Sequence, residues 1–183
     1  MLVDETHPRR DSSDFCGIEI EVIGKVKDAV RQSINTFDEV EHPSRVLKSR
    51  LAAELYEAGW KKNFEIDSKI SNEYPSAIFT IDYFLDIKDA DCAHKHRFFL
   101  EISFDNRQNL GTNLLKFEVA SLNSHKFDFK TLPLLICADE AILKKYNWDG
   151  AIADIWEYDH AIRIPYADVL KEIPVLISIR DSK

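Results

Sequence analysis

Apolar positions along this chain change their period several times, and each change predicts an element. Ile18, Ile20 and Val22 alternate with Glu19 and Glu21, a period of two that predicts a half-buried strand, with an acidic outer face that also suits an edge. Helical spacing follows from about Lys25 to Asn35. Pro43-Ser44, with Ser44 as N-cap, opens a second helix through Leu47, Leu51, Leu55 and Tyr56 that Gly59 stops, and Trp60 turns the chain into an extended stretch. From Ala77 to Ile87 the period is two again, with Phe79, Ile81, Tyr83, Leu85 and Ile87 on one face and Thr80, Asp82, Phe84 and Asp86 on the other. After a polar connection from Asp89 to Lys95, a neighbouring strand runs from Arg97 to Phe104. It places Phe98, Leu100, Ile102 and Phe104 opposite Phe99, Glu101 and Ser103. Leu110, Leu114, Leu115, Phe117 and Val119 fall on a helix after Asn109, and Leu134–Cys137 reads as a buried strand after Pro133. Short helices at Glu140–Tyr146 and Ala151–Ile162 precede a last strand, Val175–Ile179. Strands interleaved with helices predict an α/β (α+β sandwich) fold with a mixed central sheet flanked by helices.

Composition narrows this picture. With 183 residues, 45% hydrophobic and 31% charged, residues 1–183 form one domain that buries its own core, with residues 1–14, including His7-Pro8-Arg9-Arg10, as a polar N-terminal arm. Eleven per cent aromatic residues exclude a disordered chain. The longest apolar run, around Leu132–Ala138, is far short of the ~20 residues that span a bilayer, so the expectation is a cytoplasmic protein without a membrane partner. Cys16, Cys92 and Cys137, odd in number and widely spaced, read as reduced thiols. The net charge of −8 argues against a nonspecific polyanion binder, while leaving room for a local basic face where phosphates dock.

Two acids interrupt the apolar strands: Asp82 and Glu101. Burying ionised carboxylates costs several kcal/mol unless a cation or donor compensates, so a pair on adjacent strands points to a shared divalent ion, with Mg²⁺ favoured by the all-oxygen donors. Spacing alone equally allows both acids to face solvent from a one-sided sheet.

Residues 78–126 carry further information. Ile-Phe-Thr-Ile-Asp82, then Phe-Phe-Leu-Glu101-Ile-Ser103-Phe-Asp-Asn106-Arg107, then Thr-Asn113-Leu-Leu-Lys116-Phe-Glu-Val-Ala resemble the BglII/BstYI-like type II restriction endonucleases of the PD-(D/E)XK nuclease superfamily. Leu51–Trp60, Pro133-Leu-Leu-Ile-Cys, Tyr146-Asn-Trp-Asp-Gly and Ile173-Pro-Val-Leu-Ile-Ser-Ile extend the resemblance, and the first 40 residues lie outside it. It implies a restriction-endonuclease-like fold in which Asp82 and Glu101 are Mg²⁺ ligands and the Ile102 carbonyl a third. An upstream acid among Glu54, Glu65 and Glu73, with Glu65 preferred, completes the set. At the third motif position the superfamily usually carries lysine and this branch glutamine or glutamate, whereas this chain has Ser103. A serine can orient water but brings no charge to a phosphate. Lys116 on the next helix is the candidate to return that cation. Asn106 and Arg107, with Asn113, are the implied DNA contacts: an Asn amide matches the adenine edge, and Arg matches guanine or a phosphate. Their alternatives are an Asx turn or N-cap for Asn106 and a helix ion pair for Arg107.

Other features carry less. Cys92-Ala-His94-Lys-His96 reads as a polar loop rather than a zinc site, Trp148 as the packed anchor of a turn rather than a base stacker, and His125 and His160 show no acidic partner. The resemblance thus implies a homodimeric, Mg²⁺-dependent endonuclease cutting double-stranded DNA at a short palindromic site, working beside a cognate DNA methyltransferase. Arg9, Arg10, Lys61, Lys62, Arg107 and Lys116 supply its basic surface. The rival expectation is a nuclease-fold module that has lost catalysis and binds DNA or protein. A third is a repair or recombination nuclease that recognises DNA structure.

Overall fold

The computed structural model describes residues 1–7, 15–34, 43–66, 79–88, 95–104, 107–148 and 152–181. In chain order the elements are β1 (Leu2–Thr6), α1 (Gly17–Ile34), α2 (Pro43–Glu57), β2 (Lys61–Glu65), β3 (Thr80–Lys88), β4 (Lys95–Ile102), a 3₁₀ turn (Arg107–Asn109), α3 (Leu110–His125), β5 (Phe129–Ala138), α4 (Glu140–Lys145), α5 (Ile155–Arg163) and β6 (Val175–Arg180). The strands form one mixed sheet in the order β1-β6-β5-β4-β3-β2. β2, β3 and β4 are an antiparallel meander, β4–β5 and β5–β6 pair in parallel, and β1 is antiparallel to β6. Among the described residues no helix is long and apolar enough to cross a membrane.

Helices cover both faces of the sheet. Val22, Val26 and Val30 of α1 and Leu47, Leu51 and Leu55 of α2 pack with Phe98, Leu100, Ile136 and Ile177 in one layer. Leu114 and Phe117 of α3 and Tyr158 and Ile162 of α5 pack with Phe99, Leu135 and Leu176 in the other. The one-sided sheet is therefore ruled out, and β4 alternates between two cores, as its period predicts.

Several expectations change. Residues 18–22 are helical, not a strand: the buried set Glu19, Val22, Ile23, Val26, Val30 continues at helical spacing, and Ile20 is 54% exposed. Glu19 also accepts the Cys16 amide at 2.9 Å, a helix-start contact that a strand has no use for. Pro43 takes the first helical position, so Ser44 lies inside the first turn rather than capping it. Gly59 does stop this helix, at φ +88°, where a side chain is unfavourable.

Residues 2–6, read as part of a polar arm, form an edge strand. Val3 alone is buried there, so no alternation announces it. β5 starts before Pro133, which sits opposite Phe99. The Ile136 carbonyl accepts the Ser103 amide at 2.8 Å, so even-numbered positions of β5 bond towards β4 and odd-numbered ones towards β6. Pairing with β6 begins only at Leu134↔Val175, so the donor that proline lacks falls where no ladder bond is formed.

Candidate active site

The antiparallel register that pairs Tyr83 with Leu100 puts Asp82 opposite Glu101, and the regular ladder ends there. In its place the Ile102 amide donates to Asp82 Oδ2 at 3.0 Å, so a side-chain carboxylate does the work of a strand carbonyl. Glu101 is only 4% exposed and faces α3, where Lys116 Nζ donates to its Oε1 at 3.1 Å. Burial, and then the Asp82 charge, push the Glu101 carboxyl up to about 7, while the Lys116 ammonium and a backbone hydrogen bond from Asp82 hold it down. Two carboxylates thus crowd one point, and a single half-buried lysine offsets them only in part.

This convergence follows from local sequence. Alternation on β4 sends Glu101 to the face that α3 covers, and helical spacing from Leu114 to Phe117, both buried, brings Lys116 to the rim of that packing. The donor set of Asp82, Glu101 and the Ile102 carbonyl fits a hard cation such as Mg²⁺, which takes one or two carboxylates and keeps several waters. That carbonyl already accepts the Phe104 amide at 3.1 Å and retains a second lone pair. Among the described residues no group of three His, Cys, Asp or Glu side chains gathers closely enough to hold a metal. Glu65 therefore does not join the pair: it is exposed on edge strand β2 opposite Thr80. Glu54 lies on α2, and Glu73 is outside the described residues.

Ser103 is buried, and its Oγ lies 2.5 Å from the Tyr158 hydroxyl of α5. Asn113, expected among the DNA contacts, is 6% exposed and points inward, its Nδ2 donating to the same hydroxyl at 3.2 Å. The Tyr158 phenol is pushed up to about 12, chiefly by burial, so it keeps its proton at working pH. Sequence reasoning missed this residue. Its only signal is the helical spacing of Tyr158 and Ile162, which announces a buried face and nothing more.

Arg107 is exposed on the 3₁₀ turn, with Nε 2.6 Å from Glu157 Oε1. Glu157 also closes the capping box of α5 with Asp154. Arg107, Trp148 and Trp156 line a cleft of about 870 Å³ between α4 and α5 that neither Asp82 nor Glu101 reaches. Asn106, Arg9 and Arg10 lie outside the described residues. Lys61 and Lys62 lie over the rings of Phe84 and Tyr83 on the β2 edge.

Trp148 is packed against Phe104, with ring centres 5.0 Å apart, as a turn anchor. Cys92 and His94 are outside the described residues, whereas His96 belongs to β4 and is buried beside Phe98. His125 does have an acidic neighbour, Glu172 at 3.5 Å, with Thr131 bonded to both, far along the chain from the acid pair. Comparison with known protein families and with curated proteins finds no match to this chain.

Proposed function

We propose that the protein is a Mg²⁺-dependent endonuclease that hydrolyses phosphodiester bonds of double-stranded DNA at a short palindromic site, with the restriction-endonuclease-like fold of the PD-(D/E)XK nucleases. The observation that carries this reading is the placement of Lys116. Position 103 holds no cation, and the lysine of the following helix reaches Glu101, beside Asp82, from 15 residues away. Asp82 and Glu101 would hold the ion, which when bound supplies Lewis acidity towards the phosphate and a more acidic water. The chain's own groups do the rest. The Lys116 ammonium, partly exposed at the rim, turns its charge to a phosphate oxygen as negative charge builds there. Arg107, held by Glu157 at the surface, meets the duplex. Two copies related by a two-fold axis place one such centre at each strand of a palindrome, and a cognate DNA methyltransferase would protect the host's own sites.

One observation favours the rival, a nuclease-fold binding module without catalysis: the Ser103 hydroxyl is engaged by Tyr158 and so does not orient a water unless that contact opens. Incubation of plasmid DNA with the protein and Mg²⁺ decides between them. Discrete fragments are expected, absent in EDTA and absent for Asp82→Asn. Intact plasmid together with a gel shift in Ca²⁺ would establish the binding module instead.

A further inference from the structure

Residues two apart on a strand share a face, and so do residues three apart on a helix. Glu101 and Ser103 are such a pair at the end of β4, and Asn113 and Lys116 are such a pair on α3. The strand and the helix are therefore joined by two rungs. One is the ion pair from Lys116 to Glu101. The other is the Tyr158 hydroxyl, which takes Ser103 on one side and Asn113 on the other. The phenol comes from a third element, α5, and all three residues of this rung are buried. The phenol oxygen is the only polar atom of the Tyr158 side chain, and phenylalanine would fill the same space without it.

We propose that Tyr158 is a positioning residue: its hydroxyl sets the spacing between the end of β4 and α3 that places the Lys116 ammonium against Glu101. The geometry stands by itself, and the consequence for cleavage rests on the nuclease reading. Without the hydroxyl, Ser103 and Asn113 face each other across a gap where each has lost a partner. The helix is then free to shift by a few tenths of an ångström, enough to lengthen a 3.1 Å ion pair.

The test is Tyr158→Phe, read in two ways. In protein labelled with ¹⁵N-lysine, the Lys116 ammonium resonance is identified by its loss in Lys116→Gln. Exchange of its protons with water should quicken by about tenfold or more in Tyr158→Phe, because an ammonium released from a buried pair is rehydrated. An unchanged Lys116 resonance in folded Tyr158→Phe overturns the proposal. Single-turnover cleavage should slow by roughly ten- to a hundredfold, with DNA affinity in Ca²⁺ unchanged. The Lys116→Gln, Tyr158→Phe double variant should cut no more slowly than Lys116→Gln alone, whereas independent, multiplying losses would overturn the assignment. If the wild-type protein does not cut DNA, the nuclease reading fails and the resonance alone decides the positioning role. If Tyr158→Phe does not fold, Asn113→Ala, which removes the partner of the hydroxyl on α3 itself, takes its place in both measurements.

Discussion

A carboxylate held in the position of Glu101 strains the fold that carries it, and the strain can be measured. The carboxyl moves from its ordinary 4.5 to about 7, first by burial and then by the Asp82 charge. The folded chain therefore binds this proton more tightly than the unfolded chain. Glu101 leaves stability intact below about pH 4.5, erodes it as pH rises to about 7, and costs a constant amount above that. At ~1.4 kcal/mol for each tenfold change in proton affinity, the full cost is about 3 kcal/mol. Glutamine carries no charge at any pH and still accepts from Lys116. In EDTA at pH 8, Glu101→Gln should thus be more stable than wild type by up to about 3 kcal/mol, and at pH 4.5 the two should agree to within about 1 kcal/mol. Millimolar Mg²⁺ should narrow the gap at pH 8, since an ion that binds the ionised pair stabilises only the wild type. Urea denaturation at pH 4.5, 6 and 8 measures this, followed by the fluorescence of buried Trp60 and Trp148. Titrating groups that do not face Glu101 are common to both proteins and cancel in the difference. A difference that does not grow between pH 4.5 and 8 refutes the reasoning, because it would mean that burial and Asp82 do not act on Glu101.

Lys116→Ala should slow single-turnover cleavage by at least about 10²-fold, while Ser103→Ala should mainly lower stability, by about 1–3 kcal/mol, because the buried Tyr158 hydroxyl keeps only its bond from Asn113. Parallel cleavage and urea curves separate the two, and the opposite ranking would return the catalytic role to Ser103. Arg107→Ala should weaken binding to cognate and random duplexes alike and reduce the slope of log affinity against log salt by about one, read by gel shift across a salt series. Gly59→Ala should cost about 1 kcal/mol in urea denaturation, from its φ of +88° alone, since Leu85 Cδ1 lies 3.9 Å from where the new methyl would stand.

The parts of this molecule legible in the sequence are those whose partners lie nearby or share a period. Alternation from Phe98 to Phe104 assigns each residue of β4 to its correct layer, and matching it to β3 brings Asp82 and Glu101 together. Five residues of alternation at Ile18–Val22 are too few to exclude a helix, and only the longer spacing through Val26 and Val30 decides it. Alternation places Ile81 with Tyr83, whereas in the fold it packs with Phe99, near the left-handed backbone of Asn63 on the facing strand. No local pattern announces such a change of face. Lys116 could be named only through the resemblance, because a helical lysine three residues from buried Asn113 looks like any solvated one. Tyr158 lies 55 residues from Ser103, and no spacing rule spans that interval.

The two borders of the sheet are guarded by different means, and the difference matters to anyone who handles the protein. At one border Lys61 and Lys62 lie on β2, and their charge discourages another chain from docking there. At the other, β6 is an almost continuous apolar ribbon, Val175-Leu176-Ile177-Ser178-Ile179, and among the described residues its outer row of amides and carbonyls is met by residues 2–6. That short ribbon of chain serves as a stopper on an adhesive surface. A version trimmed to begin at residue 8 would retain every residue of the acid pair and its lysine, yet would present a naked β6, charged only at its terminal Arg180, to its neighbours. Its failure would be stickiness and fibre-like association rather than a damaged centre.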